Sequence, residues 1–285
     1  MKVTNEMNLP EAFVKAVSVE RHNKSGCYSA TTLNKGAKET ILQERHWDEL
    51  TEDASDNVWA VFGTAVHAIL ENESDENFHE ERFEVKVGSS TVTGIVDSYD
   101  MKNGIINDWK TASVYKVTMG DFSDWYNQGM TYAWLLTKKG LEVRKCRFVA
   151  LLKDHSKSKA KTTAGYPKKP VYVYEFDVTA EALAEAEKRI VAKVAELERC
   201  SELSDDDIEP CSKAERWTAD EKWAVMKDGR KTAVKLFDNE AEAEKMAAEL
   251  GRGHRVEHRR GVDRKCEDYC SCCGFCNYYR ATHGF

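Results

Sequence analysis

The feature that most constrains the fold of this chain is a pair of strand-like segments separated by a turn signal. Residues 91–99 and 104–110 are rich in β-branched and aromatic residues, and the sequence Lys102-Asn103-Gly104 lies between them. Segments of this composition around an Asn-Gly pair predict a β-hairpin. Both two-residue turns available here, Lys102-Asn103 and Asn103-Gly104, give a loop with an even number of residues.

Three charged side chains of the predicted hairpin are expected to lie together. Side chains alternate across a strand, so Asp108 and Lys110 share one face, and an even loop brings Asp97 to that face, opposite one or the other. Two carboxylates and an ammonium this close are costly unless a divalent cation shares the site. Such a cation would hold a scissile phosphate, and Lys110 would orient or deprotonate the attacking water. The alternative is that these residues belong to a solvated edge strand.

Predicted helices before and after the hairpin add further polar side chains. The first covers residues 58–71 and places Gly63 and His67 one turn apart. The glycine permits close approach of another backbone, and the imidazole is either a metal ligand or a core histidine bonded to a carbonyl. The second helix places Gln128 and Tyr132 one turn apart. This stripe is either core packing or, because a buried amide needs a partner, a contact to a DNA strand.

The order of these motifs resembles that of a known enzyme family. G-x-x-x-H, G-I-V-D, D-W-K and Q-x-x-x-Y follow one another, and the match spans His67 to Tyr132. The same order is typical of the RecB-like exonuclease branch of the PD-(D/E)XK nuclease superfamily, and the flanking elements extend the resemblance over about residues 25–200. Residues 10–71 also resemble uncharacterised phage-encoded nucleases.

The resemblance implies a metal-dependent deoxyribonuclease with a restriction-endonuclease-like fold, and it implies a role for each motif residue. The catalytic residues would be Asp97, Asp108 and Lys110, of which Lys110 acts on the water. Mg²⁺ or Mn²⁺ would be held by His67, Asp97, Asp108 and the backbone carbonyl of Trp109. The residues implied to contact the substrate strand are Gln128 and Tyr132.

Hydrophobic periodicity predicts an α/β core with a central mixed β-sheet flanked by helices. A nuclease core is assigned to residues 1–200, with helices at 29–47, 58–71, 122–138 and 180–199 and strands at 82–87, 91–99, 104–110, 144–152 and 171–178. An acidic linker and a small ββαβ module are assigned to residues 201–265. A cysteine-rich metal-binding tail is assigned to residues 266–285.

The composition limits the class of protein. The chain of 285 residues has a formal net charge of −7 and is 41% hydrophobic. This argues against a general nucleic-acid coat protein but not against an enzyme with local substrate contacts. Basic stretches at 153–169, expected to be a flexible loop, and at 252–265 are either phosphate contacts or solvated faces. Without a membrane-length apolar run or a signal peptide, we expect a cytoplasmic protein with no membrane partner, in a bacterial host cell if phage-encoded.

Five of the nine cysteines lie between Cys266 and Cys276. In a chain expected to be cytosolic, clustered thiols favour a metal site over disulfides. Zinc and a [4Fe–4S] cluster each need four ligands, and two adjacent cysteines are poor partners on one metal. The expected ligands are therefore Cys266, Cys270 and Cys276 from the tail and a distant fourth, Cys211.

Two alternatives to this ligand set stay open. Cys273 replaces one of the three tail cysteines in the first. Cys27 replaces Cys211 in the second, because the chain resembles iron–sulfur-containing RecB-like nucleases that have one upstream cysteine. A [4Fe–4S] cluster is preferred to structural Zn²⁺, and free buried thiols are the remaining interpretation.

The sequence thus predicts a divalent-metal-dependent DNA exonuclease in phage DNA recombination or genome processing. We expect linear DNA, engaged at an end, as substrate and a phage recombination protein as partner. A structure-specific endonuclease, an RNA substrate and a non-catalytic DNA-binding scaffold with a structural metal stay open at this point.

Overall fold

The computed structural model describes residues 1–18, 25–71 and 78–284. The α-helices of this part of the chain are α1 (Glu11–Val17), α2 (Ala37–Arg45), α3 (Val58–Glu71), α4 (Val114–Met119), α5 (Ser123–Lys138), α6 (Lys157–Thr162), α7 (Ala180–Ser201), α8 (Glu240–Leu250), α9 (Arg264–Asp268) and α10 (Asn277–His283). Its strands are β1 (Lys2–Thr4), β2 (Cys27–Ser29), β3 (Thr51–Asp53), β4 (Phe78–Val87), β5 (Ser90–Asp100), β6 (Ile105–Ala112), β7 (Lys145–Leu152), β8 (Val171–Asp177), β9 (Thr218–Ala219), β10 (Lys222–Lys227), β11 (Lys235–Phe237), β12 (His254–Arg259) and β13 (Val262–Asp263). The chain divides into two compact units, residues 1–208 and 209–285.

A six-stranded mixed sheet forms the centre of the first unit. β5 pairs antiparallel with β4 along one edge, and its other edge pairs in parallel with β2 and antiparallel with β6. The sheet continues from β6 to β7 in parallel and from β7 to β8 antiparallel. The predicted mixed α/β core with flanking helices is confirmed.

The sheet opens where β5 changes partner. Residues 91–93 lie beside β2, whereas residues 98–100 lie beside β6. Between these two pairings, residues 94–97 face no strand on that edge within the described ranges. Asp97 lies at the end of this opening, next to the first β6 pairing.

β5 and β6 form the hairpin that the sequence predicts, with a longer loop. The register pairs Asp100 with Ile105 and Ser98 with Asn107, so residues 101–104 form the loop, and Gly104 adopts a φ of +67° that favours glycine. This loop also holds an even number of residues. The alternation of side chains therefore brings Asp97 and Asp108 to one face of the hairpin.

α5 packs directly on this sheet because two glycines leave room for it. A Cβ atom on Gly94 of β5 would lie 2.8 Å from atoms of both Tyr132 and Leu135. A Cβ atom on Gly129 of α5 would lie 2.9 Å from the Phe148 ring. Gly63 on α3 was expected to serve the same purpose, but a Cβ there would meet its nearest neighbour at an ordinary 3.6 Å.

Residues 29–47 do not form the single helix that the sequence predicts. Residues 27–29 instead form β2, which pairs with β5, and the helix begins only at Ala37. The strand pairing is a contact between segments distant in sequence, and it overrides the local helical pattern. The basic stretch 153–169 likewise contains a short helix, α6, rather than loop alone.

The acidic segment after α7 packs against α2 within the first unit. Asp205 forms ion pairs of 2.7 Å with both Arg45 and His46. The fully buried Lys38 ammonium donates to the backbone carbonyls of Asp205 at 2.9 Å and Ile208 at 2.6 Å. These contacts fix residues 201–208 on the first unit.

In the second unit, residues 222–259 form a strand, a strand, a helix and a strand in chain order. The three strands make an antiparallel sheet in the order β11-β10-β12. Across the described part of the chain, no helix is both long and apolar enough to cross a membrane.

Candidate active site

The opening of the sheet lets two side chains bind the backbone of Trp109. Asp97 Oδ2 accepts the Trp109 backbone N–H at 2.7 Å, and His67 Nε2 donates to the Trp109 carbonyl oxygen at 3.0 Å. The second oxygen of Asp97 lies 3.4 Å from His67 Nδ1. α3, β5 and β6 thus contribute one group each to a single cluster.

His67 has an acceptor at both ring nitrogens. A carbonyl oxygen and a carboxylate oxygen can only accept, so the ring satisfies both when it is protonated. The hydrogen bond to Asp97 raises the pKa of His67 above its ordinary 6.5, although burial opposes this. The alternative interpretation of His67 was a core histidine bonded to a carbonyl. The bond to a carbonyl is present, but the His67 side chain is 31% exposed, so it is not a core residue.

Asp108 is the buried member of the cluster. Only 1% of its surface is exposed, and its Oδ1 lies 2.6 Å from Lys110 Nζ. Burial raises the pKa of Asp108 to about 6; the ammonium of Lys110 opposes the shift, and the charge of Asp97 adds to it. Apart from this ion pair, Oδ1 has no hydrogen bond to any described residue.

The ammonium of Lys110 is held from two sides. It pairs with Asp108, and it lies 5.5 Å from the centre of the Phe148 ring, within cation–π range. Phe148 is the β7 residue that pairs with Asp108 in the parallel register. Sequence reasoning did not single out Phe148, although the strict alternation of buried residues in β7 contained the signal.

Gln128 and Tyr132, implied to contact the substrate strand, point inward. Gln128 Nε2 donates to the Tyr132 hydroxyl at 2.7 Å and makes a longer contact of 3.4 Å to Asp108 Oδ2. Both residues are buried. In the structure Tyr132 holds Gln128 beside Asp108, while contact with a substrate strand stays a prediction.

A cavity of about 820 Å³ opens beside His67 and Asp97. This volume lies within the range of about 300–1,000 Å³ that is usual for ligand pockets. Its walls combine aromatic and polar side chains, among them Trp47, Thr32, Arg82 and Tyr132. The cavity gives a ligand access to His67 and Asp97 from the side of β2 and β4.

The donor set fits a divalent cation in its chemistry. Two carboxylates, an imidazole and a carbonyl oxygen are suitable ligands for Mg²⁺ or Mn²⁺, and the Asp108 carboxylate is buried with its pKa raised. In the observed conformation, however, no three His, Cys, Asp or Glu side chains in the described ranges converge into a metal-binding group. A cation would therefore replace the present contacts of His67 and Asp97.

The tail of the second unit gathers most of the predicted sulfur ligands. Burial, followed by the charges of Cys270, Asp263, Cys211 and Cys276, raises the pKa of the Cys266 thiol to about 12. Such mutual effects need proximity, so these four thiols share one region. As at the first site, no convergent metal-binding group is present among the described residues.

Two other cysteines qualify this ligand set. Cys272, which the sequence argument left out, is fully buried, and its sulfur lies 3.6 Å from that of Cys270. Cys27 belongs to β2 of the first unit, where its sulfur accepts a 3.8 Å contact from Arg82. Because its sulfur lies close to that of Cys270, Cys272 becomes a ligand candidate beside Cys273.

No protein-family model matches this chain, and no curated protein matches it. Similar solved structures include SSO0001 (19% identity, TM-score 0.44, covering 64% of this chain and 85% of that one). They also include the alkaline exonuclease LHK-Exo of Laribacter hongkongensis (13% identity, TM-score 0.40, covering 68% of this chain and 95% of that one). A third is a phage-related exonuclease of Haemophilus somnus 129PT (12% identity, TM-score 0.37, covering 62% of this chain and 96% of that one). The function of this chain is therefore inferred from the geometry of its site.

Proposed function

We propose that this chain is a metal-dependent deoxyribonuclease of the PD-(D/E)XK type, RecB-like, and that it digests linear DNA from an end. The observation that carries the proposal is that Asp97 and His67 bind the backbone N–H and carbonyl of Trp109, whose two chain neighbours, Asp108 and Lys110, form an ion pair. Burial of the Asp108 carboxylate is costly for folding, because its pKa stays raised despite the ion pair with Lys110, and a catalytic cation accounts for its presence.

The proposed cation is Mg²⁺ or Mn²⁺, held by Asp97, Asp108, His67 and the Trp109 carbonyl. When bound, it would stabilise charge on the scissile phosphate and acidify a water. Lys110 has three donor hydrogens, of which one faces Asp108, so its Nζ can donate to the attacking water or to a phosphate oxygen. Tyr132 holds Gln128 beside Asp108, and the cavity beside Asp97 would receive the nucleotide.

We further propose that the tail binds a [4Fe–4S] cluster, or Zn²⁺ in its place, through Cys211, Cys266, Cys270 and Cys276. Burial and the neighbouring thiols raise the pKa of Cys266, and a metal bound to its thiolate would offset both effects. Because the site spans both ends of the second unit, the metal would stabilise that unit. A role in phage recombination or genome processing in a bacterial host is part of the proposal.

The direct test incubates the purified protein with end-labelled linear DNA and closed circular DNA, each with Mg²⁺, Mn²⁺ or EDTA. We expect digestion of the linear DNA with either metal, none in EDTA, and intact circles. Nicking of circles would identify an endonuclease instead. Binding without any cleavage would identify a non-catalytic scaffold.

A further inference from the structure

The helix that carries His67 is apolar on every side, yet it is not buried. Of α3, only Thr64, His67 and the final Glu71 are polar, and none of residues 58–70 is buried. A helix of this composition normally lies inside a core. Trp59 is 52% exposed and Phe62 is 41% exposed, and their rings make an edge-to-face contact at 6.3 Å. This surface therefore has room for a binding partner.

Positive charge adjoins the exposed rings. Lys153 Nζ lies 3.9 Å from the centre of the Trp59 ring. Lys153 begins the stretch 153–169, which holds six exposed lysines and a single acidic residue, Asp154, in a chain of net charge −7. The carboxylate of Asp154 accepts the backbone N–H of Val114 at 2.7 Å. The charge beside the rings is thus complementary to a polyanion.

The surface is continuous with the candidate active site through α3. Trp59 and His67 are eight residues apart, about 12 Å along a helix axis. A lipid surface would also suit apolar and cationic side chains, but it would not account for the place of the two rings on the helix that presents His67 to Trp109.

We infer that Trp59, Phe62 and Lys153 form a stacking platform for unpaired nucleotides of the DNA strand that enters the active site. This inference rests on the proposed function and specifies the substrate further, as DNA with a single-stranded or frayed end. Aromatic rings stack on bases of any sequence, and lysines beside them bind the phosphates, which is the combination that single-strand binding requires. The ammonium of Lys153 also holds the indole in place through its cation–π contact.

The test measures the affinity of fluorescein-labelled oligothymidine of about 12 nucleotides by anisotropy, in EDTA, so that metal-dependent cleavage cannot interfere. We expect Trp59→Ala to weaken binding by roughly 10-fold or more and Trp59→Phe to restore most of it. Lys153→Ala should weaken binding and flatten its salt dependence by about 0.7 in the log–log slope, and Lys153→Arg should restore both. The affinity for blunt duplex DNA should change little in Trp59→Ala.

Trp217→Ala is the matched control, because Trp217 is also 52% exposed and has a lysine, Lys265, 5.6 Å from its ring, but lies in the second unit. Unchanged oligothymidine binding in Trp59→Ala, or an equal loss in Trp217→Ala, would overturn the platform. A Trp59-dependent affinity for phosphatidylglycerol vesicles, with DNA binding intact, would replace it by a lipid surface.

Failure of the platform and failure of the proposed function are distinguishable. Asp108-dependent cleavage with normal oligothymidine binding by Trp59→Ala would remove the platform alone. Trp59-dependent binding by a protein that cleaves no DNA would leave the platform standing and remove the nuclease.

Discussion

Replacement of Asp108 by asparagine should stabilise the protein while it abolishes DNA cleavage. Asp108 is fully buried, and its pKa in the folded state is about 6 against a reference of 3.8. The shift of about two units corresponds to roughly 3 kcal/mol at about 1.4 kcal/mol per unit. At pH 8 this is the cost of keeping the carboxylate ionised in the fold. Asparagine keeps the shape and an acceptor for Gln128, and the partly exposed Lys110 can turn toward water.

The sign of the pH dependence follows from the raised pKa. Between about pH 4 and pH 6 the folded protein keeps the Asp108 proton that the unfolded chain has released, so the free energy of unfolding falls as pH rises through this window. Above pH 6 the contribution of Asp108 to the free energy of unfolding no longer changes with pH. The Asp108→Asn protein lacks this pH-dependent loss of stability. The advantage of the variant should therefore be small near pH 4 and reach about 1–3 kcal/mol at pH 8, after the lost ion pair is allowed for.

Urea denaturation in EDTA, at pH values from 4 to 8, measures this difference. Asp53→Asn is the control of opposite sign, because backbone and side-chain hydrogen bonds to Glu6, Ser55 and Thr4 lower the pKa of Asp53. That variant should lose stability at pH 8. An Asp108→Asn protein less stable than wild type at pH 8 in EDTA would refute the view that Asp108 is kept at a cost to folding.

Three further predictions concern pH, packing and the tail. Burial lowers the pKa of His46, but its bonds to Asp205 and Glu49 outweigh this and raise the pKa above 6.5. The stabilising contribution of His46 is therefore complete below pH 6.5 and is lost as pH rises through the folded pKa. Denaturation at a series of pH values should show a loss below about 1 kcal/mol that His46→Gln abolishes, and an unchanged profile in that variant would contradict this assignment. Gly94→Ala should cost about 1–3 kcal/mol in thermal or urea unfolding because its Cβ would overlap Tyr132 and Leu135, whereas Gly63→Ala should be neutral or stabilising; equal effects of the two would show that α5 does not depend on this close approach. Anaerobically purified protein should contain iron, or zinc in its place, by elemental analysis. Cys266→Ser and Cys270→Ser should lose this metal, whereas Cys146→Ser should keep it, because the buried Cys146 thiol donates to the Gly129 carbonyl in the first unit. Metal-free wild-type protein would contradict the proposed metal site in the tail.

The local geometry of the site could be predicted because it depends on alternation. Asp97 and Asp108 share a face for any even loop, so a four-residue turn gave the same result as the expected two-residue turn. The α5 helix could be placed for a similar reason, since its helical periodicity is a local property of the sequence. These are short-range properties of the chain.

What could not be predicted depends on contacts between distant segments. β2 exists because residues 27–29 pair with β5, and no local pattern announces that pairing. Gln128 and Tyr132 turn toward Asp108 because α5 packs directly on Gly94, which the sequence shows only as a glycine. Tertiary burial decided each of these cases.

The most direct measurement of the central claim is the single-turnover cleavage rate of end-labelled linear DNA by Asp108→Ala and Lys110→Ala in Mg²⁺. Lys145→Ala and Glu175→Ala serve as matched controls, because they remove a surface ion pair of 3.0 Å between strands of the same sheet. We expect a loss of at least roughly 100-fold in both site variants, with the fold intact by circular dichroism, and wild-type rates in both controls. Cleavage by Asp108→Ala at the wild-type rate would contradict the assignment of this cluster as the active site.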